Sequence, residues 1–241
     1  MGEFAEVTRS SFRIQERPDW YKINSFLVEV GEASTKLGLA KEDLVQIGGT
    51  SFFYHAYKAF GPQVVPNFRG THDMDIVSFN LGTMQRVLDS LTADDKSQVV
   101  NYITAGSFLP NKRRITVELD NKTNPGMPSG FSIDSYEAQN GTIHFNDRII
   151  TRDKLVLDPP EELHLPTFNP RRSRGLVSVP SLRDSFIMKM DIMNYSLIGL
   201  RAKDRIDALV TVAICDKSNY DFSKVLDAMV QTCKPASARK N

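Results

Sequence analysis

With 241 residues, the chain is long enough for one large domain or two small ones around a proper hydrophobic core. Its 41% hydrophobic and 24% charged content is ordinary for a globular protein, and a net charge of +1 supplies no global field to recruit nucleic acid or a membrane. No apolar run reaches the ~20 residues that span a bilayer, no signal peptide is visible, and two cysteines, Cys215 and Cys233, fit a reducing, cytoplasmic setting better than a disulfide scaffold.

Apolar residues recur at helical spacing over 19–39 and the pattern stops at Gly38, which predicts a first helix. Residues 43–60 predict a short strand, a tight turn at Gly48-Gly49, and a helix starting near Thr50, with Thr50 or Ser51 as its cap. A connection bearing Pro and Gly leads to the strand that holds "THDMDI". Residues two apart on a strand share a face, so Asp73 and Asp75 stand side by side while Met74 and Ile76 turn into a core. Residues 82–91 predict a helix, and 114–120 and 131–138 predict strands joined by the loop signal "NKTNPGMPSG". Short strands compatible with a hairpin follow over 141–158.

From 159 the periodicity is lost, and 159–175 reads as a linker or loop. Residues 179–200 predict an amphipathic helix with Ser181 as N-cap, and 203–215 and 221–233 predict two more, before a disordered tail. There is no internal repeat. The expectation is an α+β fold, with a mixed sheet and flanking helices over 1–158 and a C-terminal helical domain over 159–241.

Two constellations carry chemistry. In the first, Gly48-Gly49-Thr50-Ser51 enters a helix, where backbone N–H groups and the positive end of the helix dipole suit a phosphate. Taken alone it reads better as a plain strand-to-helix turn. Asp73 and Asp75 repel one another and shift each other's pKa, so folding alone has little reason to pair them. A divalent cation does, and Mg2+, which takes a few carboxylates together with water and substrate phosphates, suits them, with Mn2+ able to stand in. Taken alone the aspartates also fit an exposed strand end. In order, the two halves describe a site for a metal-bound nucleoside triphosphate.

The second constellation is Lys189 followed by Arg201, Lys203, Asp204 and Asp207, whose spacings of three and four cluster charge on one side of a helix. On spacing alone, a solvated helix with weak ion pairs accounts for them. Basic runs at 111–114 and 169–175 suit either phosphate contacts or solvated loops. His55, His72, His144 and His164 lack metal-ligand spacing, Trp20, Phe52 and Phe53 read as core, and no P-loop or dinucleotide-binding glycine pattern is present.

Gly48, Gly49 and Thr50 on a turn, then Arg69, Thr71, Asp73 and Asp75 on a strand, resemble the AbiEii-type toxin nucleotidyltransferases of the DNA polymerase β-like nucleotidyltransferase superfamily. Lys189 and the later K-D-x-x-D run of Lys203, Asp204 and Asp207 fit the same pattern in order, so the resemblance spans residues 48 to about 210 in two blocks. It departs in the longer stretch between Thr50 and Asp73, which a surface loop around 58–67 accommodates.

The resemblance implies a nucleotidyltransferase-fold sheet followed by helices, and transfer of a nucleoside monophosphate from an NTP to an acceptor with Mg2+ and release of pyrophosphate. It implies a third metal-binding carboxylate on a later strand, Asp134 first and Asp120 as runner-up. Asp73 and Asp75 then hold the metal, Gly48 to Ser51 and Lys189 hold the triphosphate, and Asp204 either orients Lys189 or acts as a base. It also implies a toxin of a toxin–antitoxin pair, with a tRNA 3′ end as the favoured acceptor and a cognate antitoxin as partner. Protein hydroxyls and small molecules such as aminoglycosides remain compatible acceptors. The alternative is a non-catalytic nucleotide- or partner-binding module of the same fold, against which stands the retention of both aspartates and the lysine.

Overall fold

The computed structural model describes residues 20–40, 43–64, 68, 73–106, 112–120, 130–139, 142–145, 148–151, 161–164, 176–195 and 202–218, with 221, 223 and 227. Arg69, Thr71, His72, Arg201, Cys233, the basic run 169–175, most of the expected helix 221–233 and the tail lie outside the described residues.

Strand β1 (Leu44–Ile47) runs directly into helix α2 (Gly48–Phe60), preceded by helix α1 (Trp20–Lys36) and followed by strand β2 (Asp73–Ser78) and helix α3 (Thr83–Thr92). Strands β3 (Val99–Gly106), β4 (Lys112–Leu119) and β5 (Gly130–Glu137) complete a five-stranded sheet of order β1-β2-β5-β4-β3. Its ladders are antiparallel except for the parallel pair β2–β5. Two antiparallel pairs follow, β6 (Thr142–Phe145) with β7 (Arg148–Thr151), and β8 (Glu161–His164) with β9 (Leu176–Val179). Helices α4 (Leu182–Tyr195) and α5 (Ala202–Ser218) end the described chain. No described helix is long and apolar enough to cross a membrane.

The period-two pattern of β2 sorts its side chains as expected: Met74 and Ile76 are buried and Asp73 and Asp75 share the opposite face. Met74 and Ile76 join Ile115, Val117 and Ile133 on the sheet face that packs against the helices. That cluster also takes in Phe26 of α1, Phe52 of α2, Leu88 of α3, Phe186 of α4 and Val210 of α5. The expected boundary at 158 therefore separates segments that share one buried cluster. On the other sheet face, Ile47, Val77, Tyr136, Ile143 and Met188 form a second cluster that covers one end of the sheet.

Three local features differ from the sequence-based expectation. Helix α2 begins at Gly48, two residues earlier than expected, because the chain turns at once after β1, and no side chain caps it among the described residues. Strand β3 was not anticipated, since Val100 and Ile103 leave its apolar residues largely exposed and no alternation marks it. Strand β8 lies in the stretch that lacked periodicity, where pairing with β9 supplies the order. At α4 the expected cap holds: Ser181 Oγ accepts the Asp184 N–H at 3.1 Å and donates to Asp184 Oδ2 at 2.9 Å, an arrangement worth ~1 kcal/mol.

Candidate active site

The turn from β1 into α2 is built around Asp75. In the β1–β2 ladder Ile47 stands opposite Asp75, so the next residue, Gly48, arches over the carboxylate with φ +70°. A Cβ there would overlap Asp75 Oδ2 and stand 3.2 Å from the carboxyl carbon. Two independent constraints, a left-handed φ and a close approach, thus require glycine. The first-turn N–H groups of α2 have no partner within their own helix, as at any helix start. Thr50 and Ser51 are fully buried behind them. Thr50 Oγ1 has no hydrogen-bond partner among the described residues. Ser51 Oγ hydrogen-bonds Ser185 Oγ at 2.7 Å, tying α2 to α4.

The parallel register sets Asp75 beside Asp134 and Asp73 beside Ser132. Burial pushes the Asp75 carboxyl up to about 6, and the charges of Asp73 and Asp134 push the same way, against the opposing pull of Lys112 and Lys189. Asp134 is buried and held by two cations, with Lys112 Nζ 2.6 Å from Oδ2 and Arg114 Nε 3.2 Å from Oδ1. Lys112 also lies over the Tyr136 ring, 5.2 Å from its centroid. Burial, together with the Asp75, Asp134 and Asp73 charges, holds the Tyr136 hydroxyl protonated far above its usual range. Asp120 is elsewhere: it follows the far end of β4, where its N–H donates to Gln98 O at 2.8 Å.

The donor set is all carboxylate oxygen, the chemistry of Mg2+ and Mn2+ sites. A cation between Asp73 and Asp75 would offset both the burial of the Asp75 charge and its repulsion by Asp73 and Asp134. Among the described residues no group of three or more acidic, His or Cys side chains is arranged as it stands to hold a metal ion. Asp134 adjoins the pair with its oxygens engaged by Lys112 and Arg114, so it fits as a ligand only by exchanging those partners.

The second constellation is not the solvated helix face that its spacing alone allowed. Lys189, Asp204 and Asp207 are buried, with Lys189 Nζ 3.0 Å from Asp204 Oδ1 and 2.7 Å from Asp207 Oδ2. The ammonium also stands 5.8 Å from the Phe52 ring centroid. Helix α2 packs on both α4 and α5, which themselves pack together, and this brings the lysine to the back of the glycine turn. Its charge reaches Asp75. The two constellations, far apart in sequence, are electrostatic neighbours. A buried ion pair of this kind resists loss of one partner, at about 3–5 kcal/mol, because the survivor is left uncompensated.

Lys112 and Arg114 are the site residues that sequence reasoning missed. Their signal was the basic run 111–114 at the head of a predicted strand, which suited phosphate contacts or a solvated loop, and only the β4–β5 register puts it beside Asp134. Lys203 is partly exposed, and His55 is buried, with Nε2 donating to Pro180 O at 2.8 Å.

No protein-family model matches the chain. No curated protein matches it either. Among solved structures, an antigenic nucleotidyltransferase-like protein from Paracoccidioides brasiliensis matches with TM-score 0.50 at 13% identity, over 90% of this chain and 88% of that one. The antibiotic-resistance factor ANT(2'')-Ia matches at 0.49 and 9% identity over 91% and 96% of the two chains. The Megavirus polyadenylate synthase matches at 0.37 and 11% identity over 92% of this chain and 35% of that one. The first similarity establishes the fold class: a nucleotidyltransferase-like α+β fold with a mixed sheet and flanking helices.

Proposed function

We propose that this protein is a nucleotidyltransferase that moves a nucleoside monophosphate from an NTP to an acceptor hydroxyl. The acceptor oxygen bonds to the α-phosphorus, the bond from that phosphorus to the β-phosphate oxygen breaks, pyrophosphate leaves, and the hydroxyl proton is lost to base. The observation that carries this reading is the parallel register that puts Asp134 beside Asp75 under the Gly48 turn, with the Lys189 charge acting on Asp75.

Asp73 and Asp75, joined by Asp134, would hold Mg2+, with Mn2+ as a substitute. Bound there, the ion would neutralise the triphosphate and lower the pKa of the attacking hydroxyl. The backbone N–H groups at the start of α2 receive phosphate oxygens, and the Ser51 hydroxyl, committed to Ser185, holds that turn against α4. Lys189 supplies positive potential, the electrostatic contribution that dominates phosphoryl transfer. Asp204 is fully buried and bonded to Lys189, which favours an orienting role over that of a base. The resemblance in the glycine turn, the aspartate pair and the K-D-x-x-D run supports an AbiEii-type toxin of a toxin–antitoxin pair. Its favoured acceptor is the tRNA 3′ end, and a cognate antitoxin is its partner.

The test is incubation with each labelled NTP, Mg2+ and total RNA, resolved on a gel. Label is expected in tRNA-sized RNA, and Asp75→Ala is expected to lower incorporation by ~10²-fold or more. Wild-type incorporation by Asp75→Ala would overturn the reading. The engagement of Asp134 by two cations favours a second reading, a non-catalytic nucleotide-binding module. A thermal shift with Mg2+ and an NTP, without labelling of RNA, protein or aminoglycoside, would select it.

A further inference from the structure

We propose that Lys112 is a positioning residue that occupies Asp134 until nucleotide arrives, and so makes metal binding depend on the triphosphate. This rests on the reading of Asp73, Asp75 and Asp134 as a metal–triphosphate site. Alternation along β4 sends Lys112 and Arg114 to the sheet face of Tyr136 and Asp134, their partners in the β4–β5 ladder. The Lys112 ammonium is 2.6 Å from one Asp134 oxygen and the Arg114 guanidinium 3.2 Å from the other. A carboxylate neutralised in this way is a poor ligand for a dication, since the incoming ion meets two positive charges within a few ångströms.

The two cations are not equivalent. The Arg114 side chain is 56% exposed and can turn to solvent, whereas that of Lys112 is 23% exposed with its ammonium over the Tyr136 ring. Lys112 is therefore the group whose release is costly without a new anionic partner. A triphosphate is such a partner. Metal alone competes with Lys112 for Asp134, while metal with nucleotide leaves Lys112 paired to phosphate oxygens and Asp134 open. The link is reciprocal: nucleotide strengthens metal binding by the same factor by which metal strengthens nucleotide binding.

The experiment titrates the full chain with Mn2+, read by electron paramagnetic resonance of the unbound ion, with and without α,β-methylene ATP. Asp75→Ala protein serves as the blank for Mn2+ chelated by the analogue in solution. Wild type is expected to bind Mn2+ about tenfold or more tightly with the analogue than without it, an ordinary size for a binding coupling. Lys112→Met, which keeps the stem over Tyr136, is expected to bind Mn2+ alone about tenfold more tightly than wild type and to lose most of the nucleotide dependence. Lys112→Arg is expected to restore that dependence. If Lys112→Met fails to fold, as read by circular dichroism, Lys112→Gln carries the same comparison. A folded variant with wild-type Mn2+ affinity and wild-type nucleotide dependence overturns the role of Lys112 and leaves nucleotidyl transfer standing. Absence of Mn2+ binding by wild type and variants alike, with or without the analogue, overturns both.

Discussion

Asp75 carries the site's electrostatic conflict in a single carboxyl. Its folded-state pKa of about 6 exceeds the ordinary 3.8, so the folded protein holds the proton more tightly than the unfolded chain. The resulting stability is fully present below pH ~4, is lost as pH rises through about 6, and stays lost at neutral pH. The difference of about two pKa units corresponds to roughly 3 kcal/mol. In EDTA at pH 7.5, Asp75→Asn is therefore expected to raise the calorimetric melting temperature by several degrees, at about 2–4 °C per kcal/mol for a chain of this length. At pH 4 the same substitution is expected to leave it nearly unchanged. Equal melting of variant and wild type at both pH values would show that the Asp75 charge is not the burden. A variant more stable and yet inactive locates the conflict in function, because folding alone gains nothing from Asp75.

At the scale of elements, the β1–α2 turn is the joint on which the site depends. Gly48→Ala is expected to cost 2 kcal/mol or more, since ~1–2 kcal/mol of left-handed backbone penalty adds to the overlap with Asp75. Gly38 has the same sign of φ with open space around it. Gly38→Ala is thus expected to show the backbone cost alone and to leave activity intact, whereas Gly48→Ala loses both, as read by urea denaturation and nucleotide incorporation. Much of the pattern was legible: the alternation around Asp75 and Asp134, the α1 and α3 stripes and the Ser181 cap, although Val179, buried at the end of β9, was read as the start of a helix. Strand β3 was not, because residues such as Val100 and Ile103 face outward at the sheet edge and the burial code is absent. Strand β8 was not, because its order comes from a partner more than ten residues away in the chain. The pairing of Lys112 and Arg114 with Asp134 was invisible for the same reason. Register is a property of two strands, and neither strand states it alone.

For the whole molecule, the consequential fact is that α4 and α5 share the buried cluster of the sheet and α1–α3. Leu182, Phe186, Ile206, Val210 and Ile214 are all buried there. At ~1.5–3 kcal/mol each, they contribute on the order of 10 kcal/mol, comparable with the entire margin of a typical domain. A chain ending at residue 158 is accordingly expected to lack a cooperative thermal transition, although it keeps the five-stranded sheet and all three aspartates. A sharp calorimetric transition in that fragment would show that the sheet stands without the helices. The shared cluster also fixes Lys189 behind the glycine turn, so the C-terminal helices belong to the site as well as to the core.

The parallel pairing of β2 with β5 has a consequence in time as well as in space. The meander β3–β4–β5 closes through nearby segments, whereas β2 must wait for a partner that lies beyond α3, β3 and β4 in the chain. Contacts between remote segments form slowly because the intervening loop must be ordered first. Lys112 and Arg114 are therefore expected to meet Asp134 before Asp75 joins them. In the finished chain Asp75 meets a carboxylate that already carries a pair of cations.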